Sequence, residues 1–273
     1  MAMTLHERPR SLRGAFESFY RKAKGLRRKV LYRDYHAIGD DYGVLLPIPR
    51  ASPGERSYIS MTRDYRARSE LALDVASNYP GGDYFEFGSS GLNSFRSFLA
   101  AFELYNLDTK FPDAKFYAFD IFGNPDQGAG PSSDERAYFE HWRNPVDIAA
   151  PLWALDRYRT LRDRCVIVPG YFSETLNDEL KATMRMADRQ IGFAYLDCSM
   201  APSYKQVFDF LLDVIKPRRM FIAMDEYFEY HKPPIHPLYQ DFAAKAKERY
   251  GLDSLYIRNA GAFGALFCLM PSS

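Results

Sequence analysis

The chain contains no apolar run near the ~20 residues that a membrane-spanning helix needs. Nor does its start show the basic, apolar and small-residue succession of a secretory signal. A transmembrane segment is therefore not expected, and a cytoplasmic protein is. Cysteine is scarce, with only Cys165, Cys198 and Cys268, and no C-x-x-C spacing joins them. Each falls in a strand-like run, which reads as buried free thiols in a reducing compartment. Charge of one sign is lacking too: the net charge is +1, so the chain as a whole makes no argument for nucleic acid. No internal repeat or low-complexity tract stands out. What remains is a chain of 273 residues, 47% hydrophobic and 16% aromatic, enough for one large core or a core with an appendage.

The most informative stretch is Tyr84-Phe85-Glu86-Phe87-Gly88-Ser89-Ser90-Gly91-Leu92-Asn93-Ser94, an apolar strand running into a small-residue turn. A Glu86-x-Gly88 turn at the carboxyl end of a first strand is where doubly wound α/β folds hold nucleotide-like ligands. It is not a dinucleotide fingerprint, because G-x-G-x-x-G would need glycine at Ser90 and Asn93. The acid before the glycine suits a ligand with a positive amino group, a ribose and no phosphates, a description that fits S-adenosylmethionine. Later strands repeat the acidic ending: residues 115–120 close on Asp120, residues 191–197 on Asp197 and residues 219–226 on Asp225 and Glu226. Asp120 is placed to accept hydrogen bonds from ribose hydroxyls. Carboxylates gathered on one rim call for a cationic ligand or a metal.

Helical spacing predicts helices over Met61–Asn78, Ser94–Leu104, Ser173–Met186 with Ser173 as N-cap, Pro202–Ile215 and Leu238–Tyr250. Residues 165–168 make a further short strand closed by Pro169-Gly170. Two closing strands, 255–258 and 263–269, are joined by Asn259-Ala260-Gly261 as a hairpin. The expected fold is α/β: a Rossmann-like, doubly wound, mostly parallel seven-stranded sheet with a C-terminal antiparallel hairpin, of the class I methyltransferase type.

The motifs resemble those of the macrocin O-methyltransferase family, enzymes that methylate sugar hydroxyls with S-adenosylmethionine and a divalent metal. Glu86, Gly88 and Ser94 match its E-x-G-V-x-x-G-G-S block, and Phe119-Asp120-Ile121-Phe122-Gly123-Asn124-Pro125 is close to F-D-S-F-x-G-x-P, one residue shorter. Gly170-Tyr171-Phe172-Ser173-Glu174-Thr175-Leu176 looks like G-Y-F-x-[DE]-T-L throughout. Leu196-Asp197-Cys198-Ser199 and Asp225-Glu226-Tyr227 are similar to L-D-x-D and D-D-Y. The resemblance implies a cofactor site from Glu86, Phe87, Gly88, Ser89, Ser94, Asp120, Ile121, Gly170, Tyr171, Phe172, Ser173 and Asp197. It also implies Mg²⁺ on Asp197, Asp225 and Glu226. One departure is that Ser199 stands where the family has a second acid. The activity implied is metal-assisted O-methyl transfer to a small hydroxylated acceptor, sugar-containing or a natural product, with Asp197 and His231 as catalytic candidates. The contrasting readings are a non-catalytic methyltransferase-like binding module and an RNA methyltransferase.

That last reading rests on residues 1–60, a basic segment and connecting loop ahead of the methyltransferase domain at 61–273. Arginines and lysines crowd residues 8–33, which suits RNA or an anionic membrane surface. The favoured alternative is a solvated helix packing Phe16, Tyr20 and Leu26 on a neighbour or on a second subunit of a homo-oligomer. A lid-like insertion is expected near 123–160, since long insertions at a ligand-bearing rim often close over it.

Overall fold

The computed structural model describes residues 67–89, 91–122, 155, 158–198, 200–228, 234–260 and 264–272. The basic segment, nearly all of the insertion, Ser90, Ser199, His231 and the tip of the hairpin lie outside the described residues.

Seven strands build the sheet: β1 (Asp83–Phe87), β2 (Phe116–Asp120), β3 (Cys165–Pro169), β4 (Ile191–Leu196), β5 (Met220–Met224), β6 (Leu252–Ala260) and β7 (Gly264–Pro271). Their order is β3-β2-β1-β4-β5-β7-β6. β1 pairs in parallel with β2 and β4, β2 with β3 and β4 with β5. β7 enters antiparallel between β5 and β6. The expected architecture, including the closing hairpin, is the observed one.

Alternation explains the layers. Successive side chains of a strand point to opposite faces, and here both faces are apolar, as a sheet covered on both sides requires. Phe85 and Phe87 of β1, Tyr117 and Phe119 of β2, and Ala194 and Leu196 of β4 share one core cluster. Helix α3 (Asp178–Met186) supplies Met184 to it, α4 (Ala201–Val214) supplies Val207, Phe208 and Leu211, and α5 (Ile235–Tyr250) supplies Tyr239 and Phe242. Tyr84, Phe116, Ala118, Phe193 and Tyr195 face the other cluster. There a helix at 67–77, α1, contributes Leu71 and Val75, and α2 (Asn93–Leu104) contributes Phe95, Phe98, Leu99 and Phe102. Each fully buried phenylalanine stabilises the fold by about 1.5–3 kcal/mol.

Three elements differ most from the sequence reading. The helix expected from Ser173 to Met186 divides into a single turn, Phe172–Thr175, and α3. Asn177 accepts a hydrogen bond from the Leu180 N–H at 3.0 Å and so caps α3, while Ser173 is exposed and caps nothing. Such a cap contributes about 1 kcal/mol, enough to fix the start locally. α5 begins at Ile235 rather than Leu238, because Pro237 in a first turn forfeits no intrahelical bond. It ends on Gly251 at φ +64°, where a side chain would be strained. β6 runs from Leu252 to Ala260, longer than the 255–258 expected. Among the described residues, no helix is long and apolar enough to cross a membrane.

Candidate active site

Strand order reverses between β1 and β4, and in doubly wound sheets the crevice beyond the carboxyl ends at such a reversal is where ligands bind. The backbone ladder continues past those ends. Gly170 N–H donates to Asp120 O at 3.0 Å, Gly88 N–H to Phe119 O at 2.8 Å, Asp197 N–H to Phe87 O at 2.8 Å and Asp225 N–H to Leu196 O at 3.0 Å. The exits of β3, β2, β1, β4 and β5 are thereby laced side by side, which places Asp120 on one flank of Gly88 and Asp197 with Asp225 on the other.

Gly88 makes this possible. It sits at φ +89°, and a Cβ there would lie 1.9 Å from the Asp197 carbonyl oxygen. No other residue type lets β1 and the exit of β4 approach so closely.

The sequence candidates separate into groups. Asp120 is half-buried at the end of β2, its carboxylate accepting from Phe122 N–H at 3.1 Å. Ile121 follows it, also half-buried. Ser89 is buried, its hydroxyl 3.2 Å from the Glu86 carbonyl. Tyr171 is buried beside Gly170, Phe172 packs edge-on against Phe87 at 5.9 Å, and Ser173 faces outward. Phe87 is a core residue: its ring is fully buried and stacks on Phe119 at 5.0 Å, and its carbonyl is taken by Asp197. Glu86 is fully buried on the opposite face from Phe87. Its carboxyl group accepts from Ser94 Oγ at 2.8 Å and from the Tyr84 hydroxyl. Burial pushes it up to about 8, against the downward pull of those two hydrogen bonds. Glu86 is thus predominantly neutral at pH 7.

Asp197, Asp225 and Glu226 come together, with one oxygen from each within 4.8 Å of the others. Burial raises the Asp197 carboxyl well above the usual range; Arg68 opposes that shift, while Asp225 and Glu226 add to it. Three residues that sequence reasoning did not single out complete the cluster. Tyr195 donates to Asp225 at 3.2 Å, and the Tyr204 hydroxyl hydrogen-bonds the Glu226 carboxylate and lies 3.0 Å from the Leu196 carbonyl oxygen. Burial holds both phenols well above the ordinary tyrosine value, so they act as neutral donors. Arg68, on α1, places Nη2 2.9 Å from Asp197 and 3.3 Å from Asp225. The one signal that could have found Arg68 is the surplus of acids at the strand ends, which demands a cation from somewhere.

No family model matches the chain, and no curated protein matches it. Solved structures do. The structure of the O-methyltransferase NovP aligns with a TM-score of 0.56 at 18% identity, covering 76% of this chain and 81% of that one. CalS11, a TDP-rhamnose 3'-O-methyltransferase of calicheamicin biosynthesis, aligns at 0.47 and 16% identity over 80% and 86% of the two chains. TomG from Streptomyces achromogenes, an O-methyltransferase of tomaymycin synthesis, aligns at 0.48 and 12% over 82% and 92%. The last two scores carry no argument. The first, with the strand order above, makes this the seven-stranded Rossmann-like fold of class I methyltransferases.

Proposed function

We propose that the protein is an S-adenosylmethionine-dependent O-methyltransferase acting on a small hydroxylated molecule, with a sugar-containing or natural-product acceptor as the finer reading. The observation that carries it is the lacing of the exits of β2, β1, β4 and β5, which sets a ribose-type acceptor, Asp120, and a cluster of three carboxylates on either side of one glycine turn. That NovP, which shares this fold, is an O-methyltransferase supports the choice of reaction.

The residues fit the cofactor. Asp120 has its carboxylate oriented by Phe122 N–H, ready for ribose hydroxyls. Bound there, S-adenosylmethionine would supply a sulfonium methyl for transfer to an acceptor hydroxyl, leaving as the thioether. The protein's task is then alignment of that oxygen and removal of its proton. Glu86 accepts from Tyr84 and Ser94 beneath the turn, and we propose that it acts there by fixing those two side chains.

The carboxylates fit a hard divalent cation, since Mg²⁺ takes one or more protein oxygens and keeps several waters. Asp197, Asp225 and Glu226 would hold it. Bound there, such an ion supplies Lewis acidity that lowers the pKa of an acceptor hydroxyl. His231 is our proposed proton acceptor, and it lies outside the described residues.

Calorimetric titration with S-adenosylmethionine tests the reading at its base, followed by a mass-spectrometric screen of hydroxylated glycosides for a single added methyl. Saturable cofactor binding with methylation of at least one hydroxyl is expected. No cofactor binding by the folded protein refutes the proposal.

A further inference from the structure

The acidic cluster already contains a cation. Arg68 reaches across from α1, and one of its terminal nitrogens, Nη2, bridges the Oδ2 atoms of Asp197 and Asp225 at 2.9 and 3.3 Å. Its Nε is buried and has no hydrogen-bond partner, so the side chain is held by those two carboxylates and by its stem rather than by a complete donor network. Two further oxygens are engaged as well: Tyr195 donates to Oδ1 of Asp225 and Tyr204 to Oε2 of Glu226. Two neutral donors and one guanidinium thus face the three carboxylates. A divalent ion entering this cluster meets a positive charge already on two of its three ligands, and like charges in a half-buried site repel strongly.

We propose that Arg68 is the resident counter-cation of the Asp197–Asp225 pair and competes with a divalent ion for it, so that metal loading is coupled to withdrawal of the guanidinium. Resting on the methyltransferase reading only for its consequence, this deepens it: the position of α1 sets how readily the site takes a metal. The competition has a simple signature. Removing the positive charge tightens metal binding, the reverse of what loss of a merely structural tether does.

The test is a titration of the full-length protein with Mn²⁺ alone, followed by electron paramagnetic resonance of the free ion, for the wild type, Arg68→Met and Arg68→Lys. Arg68→Met is expected to bind Mn²⁺ at least about ten-fold more tightly than the wild type, and Arg68→Lys, which keeps the charge, within a few-fold of it. Mg²⁺ is expected to displace the Mn²⁺ from the same site. Should Arg68→Met fail to fold, Arg68→Gln keeps hydrogen-bond donors beside the carboxylates, removes only the charge, and is expected to tighten Mn²⁺ likewise. Unchanged or weaker Mn²⁺ affinity in a folded, uncharged variant overturns the proposal. S-adenosylmethionine affinity is measured on the same wild-type sample, so a protein that binds the cofactor but shows no Arg68 effect fails only this inference, whereas one that binds no cofactor fails the functional reading.

Discussion

Glu86→Gln isolates the protonation of a single buried carboxyl group. In the folded protein Glu86 is pushed from 4.5 up to about 8, burial being the dominant cause. For an acid raised in this way, the folded state keeps a proton that the unfolded chain releases once the pH exceeds about 4.5. Stability therefore falls as pH rises through the window from about 4.5 to about 8; below it the penalty is absent, and above it the penalty is complete. At about 1.4 kcal/mol per unit, the full penalty is on the order of 5 kcal/mol, and at pH 7 about 3 kcal/mol. Glutamine imitates the protonated acid in shape, and its amide can accept from one of the Tyr84 and Ser94 hydroxyls while donating to the other. The variant is expected to lie within about 1 kcal/mol of the wild type at pH 5 and to exceed it by about 3 kcal/mol at pH 7. Groups that titrate in both proteins cancel in the difference. The assay is urea unfolding at pH values from 5 to 8, read as the gap between the two proteins. A gap that stays constant with pH refutes the protonation argument. The same variant tests the ligand role: a neutral Glu86 implies that S-adenosylmethionine affinity changes no more than a few-fold, and a loss beyond ten-fold makes it a direct partner of the cofactor.

Three further substitutions probe the rim. Gly88→Ala places a methyl 1.9 Å from the Asp197 carbonyl oxygen at φ +89°, and a loss of about 3 kcal/mol or more is expected, read from the urea midpoint; an unchanged midpoint contradicts the close approach. Asp120→Ala should weaken S-adenosylmethionine binding by about five- to a hundred-fold, the equivalent of about 1–3 kcal/mol, with little change in melting temperature. Cofactor affinity equal to the wild type removes Asp120 from the site. Asp197→Asn deletes one carboxylate of the cluster, so Mn²⁺ affinity is expected to fall by about ten-fold or more while cofactor affinity falls far less; retained metal binding places the ion elsewhere.

What the sequence reveals here follows the range of the forces involved. Strands and their acidic exits are local patterns, and all seven appear where alternation and turn residues place them. Helix starts are decided by single competing caps, which is why Asn177 displaced Ser173. The facing of β1 lies a step further off. Alternation says that Glu86 and Phe87 point to opposite sides, but both sides of a doubly covered sheet are dry, so the pattern does not say that Glu86 would be enclosed by Tyr84 and Ser94. Arg68 is furthest from view: its partner Asp225 is 157 positions away, and no local spacing ties a helix ahead of the first strand to a carboxylate beyond the fifth.

Gly88 shows how a residue can be found for one reason and needed for another. Read in sequence, a glycine after the first strand clears space for a ligand. In the folded chain, the space it clears is taken by the carbonyl of Asp197, and the adjoining Asp197 N–H closes onto Phe87. The glycine thus works from within the protein, by letting the exit of β4 rest against the exit of β1. That contact fixes the backbone from which Asp197 reaches Arg68 and the other two carboxylates. A side chain at position 88 must then disturb the acidic cluster along with the turn that follows β1. If Gly88→Ala lowered cofactor affinity but left Mn²⁺ binding as in the wild type, the coupling of the two halves of the site through this one contact would be wrong.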